Sequence, residues 1–169
     1  MDDKLSSFIE AHGVDAALIA KPSTQQTLKA HEALVALGYN VDASQMIKAL
    51  VCVPVIAEHF AEENAVLALI AGTDKLDLAA LSKVLGCERV IIADQATAER
   101  LSGYPRGGTP PIVHDRPLQV VIDDALYSKP VLYGGGGSTD MVMKITPSEI
   151  KRVTEEIEKA KFAVARIRL

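Results

Sequence analysis

The chain has 169 residues, a net charge of −4, 49% hydrophobic and 24% charged residues, a composition that builds an ordinary globular core and excludes extensive disorder. The negative charge argues against a non-specific polyanion binder, and an aromatic content of 4% with no Trp argues against a surface of stacked bases. Cys52 and Cys87 form neither a C-x-x-C pair nor a disulfide framework, so a reducing compartment is expected.

The first residues, "MDDKLSSFIEAHG", lack a basic segment followed by an apolar one, and "ALVCVPVIA" and "AVLALIA" are too short to span a bilayer. The expectation is a cytoplasmic protein of one domain over residues 1–169 with no membrane partner. Asp2 or Asp3 can cap a first helix carrying Leu5, Phe8 and Ile9 on one face, with Gly13 as its stop. "VDAALIA" reads as a strand. "TLKAHEALVALG" has helical spacing, with Thr27 as cap and Gly38 as stop. "MIKALVCVPV" and "AVLALIAG" read as buried strands, with "IAEHFAEEN" between them as a turn or hairpin.

"LDLAALSKVLG" reads as a helix capped by Asp77 and closed by Gly86. "ERVIIAD" follows as a strand, and Asp94 caps the helix "QATAERLSG". "LQVVID", "PVLYG" and "MVMKI" are strand-like. In "TPSEIKRVTEEIE", Thr146 is the expected N-cap, Pro147 the first helical residue and Glu149 the partner in a capping box. "FAVARIRL" alternates well enough to return as a last strand. The Asp123-Asp124 pair ends a strand and is expected to cap the turn after it.

Two glycine clusters and one lysine stand out. "GGGG" at 134–137 is followed by "STDMVMKI", a strand and not a helix, and has no Lys-Ser/Thr pair, so it is no Walker loop. It also misses the G-x-G-x-x-G spacing. A tight turn using positive φ is one reading, and close backbone approach to a ligand the other. "GYPRGGTPPIVH" boxes Gly107-Gly108 between prolines. Such a loop is stiff and still exposes backbone N–H groups, as an oxyanion site requires. A rigid structural turn fits it equally. Lys48, a lone cation in an apolar strand, either guards an edge or presents an ammonium to a ligand. The four histidines show no metal spacing, and no G-x-S-x-G elbow occurs.

Together these segments resemble the YbaK/ProX family of aminoacyl-tRNA deacylases, related to the editing domain inserted in bacterial prolyl-tRNA synthetases. The resemblance is carried by "QTLKAHEALVALG", "MIKALV", "LDLAALSKVLGCERVIIAD", "LSGYPRGGTPPI" and "LYGGGGSTDMVMKITPSEI". It implies an α/β fold, a single domain with a mixed, barrel-like sheet flanked by helices. It also implies a free-standing deacylase that hydrolyses the ester of a mischarged tRNA, tRNA-Pro or similar, in trans, without a metal or other cofactor. In that light Lys48, Gly107 and Gly108 are the expected catalytic residues, with backbone N–H groups of the glycine loop holding the oxyanion. Thr27, His31, Tyr104, Arg106, Thr109, Pro111, Gly135 and Gly136 are the expected substrate-binding residues, and "GGGG" becomes a turn beside the site. The implied partners are the acceptor end of the tRNA, reached through Lys48 with Lys29, Arg106 and Lys129 nearby, and an aminoacyl-tRNA synthetase. A non-catalytic binder of aminoacyl-tRNA ends and a small-molecule ester hydrolase are the alternative classes.

Overall fold

The structure, a computed structural model, describes residues 3–169. Helix α1 (Asp3–His12) packs Leu5 fully into the core and ends where Gly13 takes φ +59° and Val14 N–H reaches back to the Ile9 carbonyl at 3.0 Å. The cap expected of Asp2 or Asp3 lies outside the described side chains. Strand β1 (Ala16–Ala20) leads into helix α2 (Thr27–Ala36), which closes at Gly38 with φ +94°. Strand β2 (Ile47–Ile56) turns through Ala57 and Glu58, both at positive φ, into the two-residue strand β3 (His59–Phe60). Strand β4 (Val66–Ala71) follows, then helix α3 (Leu78–Leu85), strand β5 (Arg89–Ile92) and helix α4 (Gln95–Ser102). Both helices carry the expected N-caps, the Asp77 carboxylate accepting from Ala80 N–H and that of Asp94 from Thr97 N–H; Gly86 closes the first as expected, and Gly103 closes the second, both in the left-handed region.

The second half runs through strand β6 (Gln119–Asp123), helix α5 (Asp124–Tyr127), strands β7 (Leu132–Gly135) and β8 (Met141–Ile145), helix α6 (Pro147–Arg152) and strand β9 (Phe162–Ala165). Asp123 is fully buried. Its carboxylate accepts from Ala125 N–H, from Ile167 N–H and from the Arg168 guanidinium, which ties the chain end to α5. This is the structural role expected of the aspartate pair.

Two sheets result. One has the path β3-β2-β4-β6-β9, with β5 also paired to β2; the other is β1-β8-β7. Strand β4 lies antiparallel to β2 and parallel to β6, and all its residues are buried. A strand covered on both faces must be apolar throughout, which is why "VLALIA" shows no alternation. An isolated parallel bridge between Met46 and Tyr133 joins the two sheets where β2 begins beside β7. This is the mixed α/β fold that the resemblance implied, with its barrel-like sheet resolved into two bridged parts. Among the described residues, no helix is long and apolar enough to cross a membrane.

One expected cap, that of Thr27, is not formed, and the capping box expected at Thr146 is only half formed. Thr27 is the first residue of α2, and Gln26 before it makes no side-chain cap. The methyl of Thr27 packs so tightly over Gly72 that a Cβ there would lie 2.6 Å from it. The Thr146 hydroxyl does accept from Glu149 N–H at 3.3 Å, but the Glu149 carboxylate takes Asp15 N–H at 2.7 Å and Arg152 Nε at 2.6 Å. The distant Asp15 N–H and the i,i+3 neighbour Arg152 take the carboxylate, so the box does not close.

Candidate active site

The seam between the sheets opens into a cavity of about 370 Å³, walled by the start of β2, the start of α2, the loop 106–109 and the glycines of β7. At the start of β2, Ile47 is buried and Lys48 is partly exposed, and both line this cavity. Lys48 Nζ donates to the Asp74 carbonyl at 2.8 Å. An ammonium has three donors, so two remain for a ligand. Arg106 lines the mouth, and among the described residues its guanidinium has no ion-pair partner. Lys21, Lys48 and Arg106 are cationic, and among the described residues no carboxylate lines the cavity. A chain of net charge −4 thus concentrates positive charge at one place.

The loop 103–111 is folded against its neighbours in a way that selects its donors. Gly108 N–H is consumed by the Pro105 carbonyl at 2.9 Å, and the Gly108 carbonyl accepts from Gly137 N–H at 2.8 Å. Gly108 is buried and does not line the cavity, which corrects the expectation that it is an oxyanion donor. Gly107 and Thr109 do line it, and their N–H groups have no hydrogen-bond partner among the described residues. Gly107 has φ +85°, and a Cβ there would lie 2.6 Å from the Gln25 Cα, so only glycine fits.

The four glycines divide by task. Only Gly137 has positive φ, at +95°. A Cβ on Gly135 would stand 2.2 Å from the Thr109 carbonyl oxygen, and one on Gly136 2.7 Å from the Met141 carbonyl carbon. Close approach to protein backbone, not to a ligand, explains these two. The positive-φ turn therefore holds for a single glycine.

Thr27, Lys48, Arg106, Gly107, Thr109 and Gly135 meet around the cavity, whereas His31, Tyr104, Gly108, Pro111 and Gly136 do not line it. His31 Nε2 pairs with the Val41 carbonyl at 2.9 Å on the far side of α2. Tyr104 is buried, and its hydroxyl donates to the Val113 carbonyl at 2.5 Å with its ring edge-on to His114. Pro111 is buried behind Gly134, whose Cβ would lie 3.2 Å from its Cδ. Lys29 is exposed and pairs with Glu32, and neither it nor Lys129 lines the cavity. The sequence reading missed Lys21, Thr24, Gln25 and Tyr133, all in the lining. Only Pro22, a strand breaker just after Lys21, hinted that the chain turns there.

Other reactive groups are inert or remote. Burial pushes the Cys52 thiol up to about 12. Among the described residues no group of three metal-ligating side chains occurs. A second cavity of about 570 Å³, beside Asn64, Cys87, Glu88, Gln119 and Lys161, contains none of the expected site residues.

Known proteins resemble this chain in sequence and in fold. A proline–tRNA ligase of Geobacter metallireducens is 29% identical over 126 residues, which are 75% of this chain and 20% of that protein, so the chain spans about a fifth of that relative's length. A structure described as a candidate trans-editing enzyme for prolyl tRNA synthetase superposes with a TM-score of 0.78 at 27% identity, covering 99% of this chain and 96% of the other. A crystal structure of a hypothetical protein matches with a TM-score of 0.79 at 25% identity, covering 98% and 99%. Residues 24–153, which hold Lys48, the Gly107 loop and the four glycines, match the aminoacyl-tRNA editing domain, and it is to this family that the chain belongs.

Proposed function

We propose that the protein is a deacylase acting in trans on mischarged tRNA, hydrolysing the ester between a wrong amino acid and the terminal ribose. Membership of the editing-domain family supports the reaction, and the names of the relatives support tRNA-Pro as the tRNA. The observation that carries the reading is a cavity lined by Lys48, Arg106, Gly107 and Thr109, with no carboxylate in its lining and no partner for the Gly107 and Thr109 N–H groups among the described residues. This suits a ligand that brings a terminal phosphate and an ester carbonyl together.

Water attacks the ester carbonyl carbon, and the carbonyl oxygen becomes an oxyanion held by Gly107 and Thr109 N–H. Lys48 supplies positive charge to that oxygen or to the adjacent phosphate. Collapse expels the ribose oxygen, which takes up a proton and leaves a free amino acid and tRNA. The titratable side chains in the lining, among the described residues, are Lys21, Lys48, Arg106 and Tyr133. None is a histidine or a carboxylate, the usual general bases, so the substrate's own amino group or bulk water receives the proton from the attacking water. The donor set likewise favours a reaction without a metal, because the lining formed by the described residues has no histidine, cysteine or carboxylate ligand.

Incubation with a panel of mischarged tRNAs, with and without a chelator, tests this. Loss of the amino acid from a mischarged tRNA-Pro, unaffected by chelation, is expected. Protection of the ester without hydrolysis would replace the deacylase by a binder of aminoacyl ends, and indifference to every tRNA would leave a small-molecule esterase.

A further inference from the structure

The third cation of the cavity is built differently from the other two. Lys21, at the end of β1, is 8% exposed, and its Nζ donates to Thr24 Oγ1 at 2.7 Å, to the Thr139 carbonyl at 2.5 Å and to the Pro22 carbonyl at 3.1 Å. All three donors of the ammonium are used, so it offers none to a ligand. The same two segments are zipped by backbone bonds from Lys21 N–H to the Asp140 carbonyl and from Thr24 N–H to the Thr139 carbonyl, each 2.9 Å, and by the Ser23 and Thr139 hydroxyls at 2.7 Å. The loop of Gly107 rests on this assembly: Gly107 packs on the Gln25 backbone, and Gly137 N–H holds the Gly108 carbonyl at 2.8 Å.

We infer that Lys21 is a positioning residue for the site: its saturated ammonium locks the segment between β1 and α2 to the turn between β7 and β8, and so fixes where Gly107 and Thr109 stand relative to Lys48. A buried charge is expensive, and a methionine of similar length would fill the space at less desolvation cost. Burial indeed pushes the Lys21 ammonium below the ordinary lysine range, with Asp140 pulling it back only in part. The cost is understandable if the position of two loops depends on it. An apolar side chain has no directional bonds with which to hold three oxygens at one point.

The activity arm of the test rests on the deacylase reading; the exchange arm does not. Lys21→Met, Lys21→Arg and Ser23→Ala are compared with the wild type by thermal melts, by hydrogen exchange at the Thr24 and Gly137 amides, and by steady-state deacylation of mischarged tRNA-Pro. Lys21→Met is expected to melt within about 5 °C of the wild type. It should exchange both amides at least tenfold faster, and KM should rise about tenfold or more with kcat within about threefold, because a loosened mouth weakens binding. Mere partial unfolding would instead lower the apparent kcat at unchanged KM. Lys21→Arg, which keeps the charge and several donors, should recover part of the protection, and Ser23→Ala should have the smallest effect. Unchanged exchange, an unchanged KM, or a melt lower by more than about 15 °C for Lys21→Met would overturn the inference, the last by making Lys21 a support of the whole core. A wild type inactive on every mischarged tRNA would remove the functional reading alone, and the exchange arm would still decide the clasp.

Discussion

The segments 103–109 and 134–137 face each other across one wall of the cavity, and both are rich in glycine for different reasons. In the first, Gly107 is needed for both its φ of +85° and the contact with Gln25, and prolines on either side hold the loop stiff. In the second, β7 runs so close to the first segment that Gly135 lies directly against the Thr109 carbonyl, and only Gly137 makes the turn. One segment lines the cavity with Gly107 and Thr109, and the other removes side-chain bulk so that the two stretches of backbone can pack together. Glycine beside a site can thus serve packing between two stretches of backbone, with the ligand contacts made by their neighbours.

The sharpest way to break this division of labour is Gly135→Ala. Its methyl would enter the Thr109 carbonyl at 2.2 Å, backbone against backbone, with no flexible side chain to yield. A loss of about 3 kcal/mol or more in a denaturant titration is expected, together with loss of deacylation, since separating the two segments moves Thr109. A variant as stable and active as the wild type would show that the second segment does not set the position of the first. Lys48→Met tests the opposite wall. The stem is kept, the melt should stay within about 5 °C of the wild type, and kcat/KM should fall by about 100-fold, the scale of losing one preorganised charge at a developing oxyanion. Activity within about threefold of the wild type would leave Gly107 and Thr109 as the whole machinery.

The helices were legible where capping is local. Asp77 with Gly86 and Asp94 with Gly103 were readable because each bond spans three or four residues. Thr27 and Glu149 failed where a distant partner, Gly72 in one case and Asp15 in the other, competed for the side chain. Lys48 stood out as a cation in an apolar strand, but Lys21 did not, since Thr139, which holds it, lies 118 residues away. Tyr104 in a Gly-Pro loop had the look of a ligand contact, and only the fold reveals that Val113 takes its hydroxyl. Gly108 was misread for a similar reason. Sequence shows that a stiff loop has N–H groups, but not which of them the loop itself consumes.

Beneath the first segment lie two groups that titrate in opposite senses. His114 is buried, with Nε2 on the Pro110 carbonyl at 2.9 Å, and burial lowers its pKa to about 4 from 6.5. Glu158 is raised to about 7 from 4.5 by burial, with Val113 and Lys4 pulling the other way. The stabilising contribution of a depressed histidine is present above pH 6.5 and lost as the pH falls through 4; that of a raised glutamate is present below pH 4.5 and lost as the pH rises through 7. Between 4.5 and 6.5 the two slopes oppose, so the wild type should show little pH dependence from this pair. Glu158→Gln removes one slope. Its stability should then rise between pH 4.5 and 6.5 by up to about 1 kcal/mol per unit, followed by urea titrations at fixed pH steps. A flat profile in Glu158→Gln would mean that His114 is not held neutral under the loop.

The smallest effect is expected at the turn itself. Gly137 has φ +95° and donates to the Gly108 carbonyl, so it joins the two segments while lining neither wall of the cavity. Alanine at 137 meets the left-handed penalty of about 1 kcal/mol, and asparagine, which tolerates that region better, should cost about half as much. Because the N–H survives both substitutions, the bond to Gly108 can persist, and kcat/KM should stay within about threefold of the wild type. The paired measurement is a melt and a deacylation rate for Gly137→Ala and Gly137→Asn. Equal losses of stability in the two would mean that the turn is limited by space and not by φ. A large fall in kcat/KM with little loss of stability would move Gly137 out of the packing half of the comparison and make its N–H part of the site.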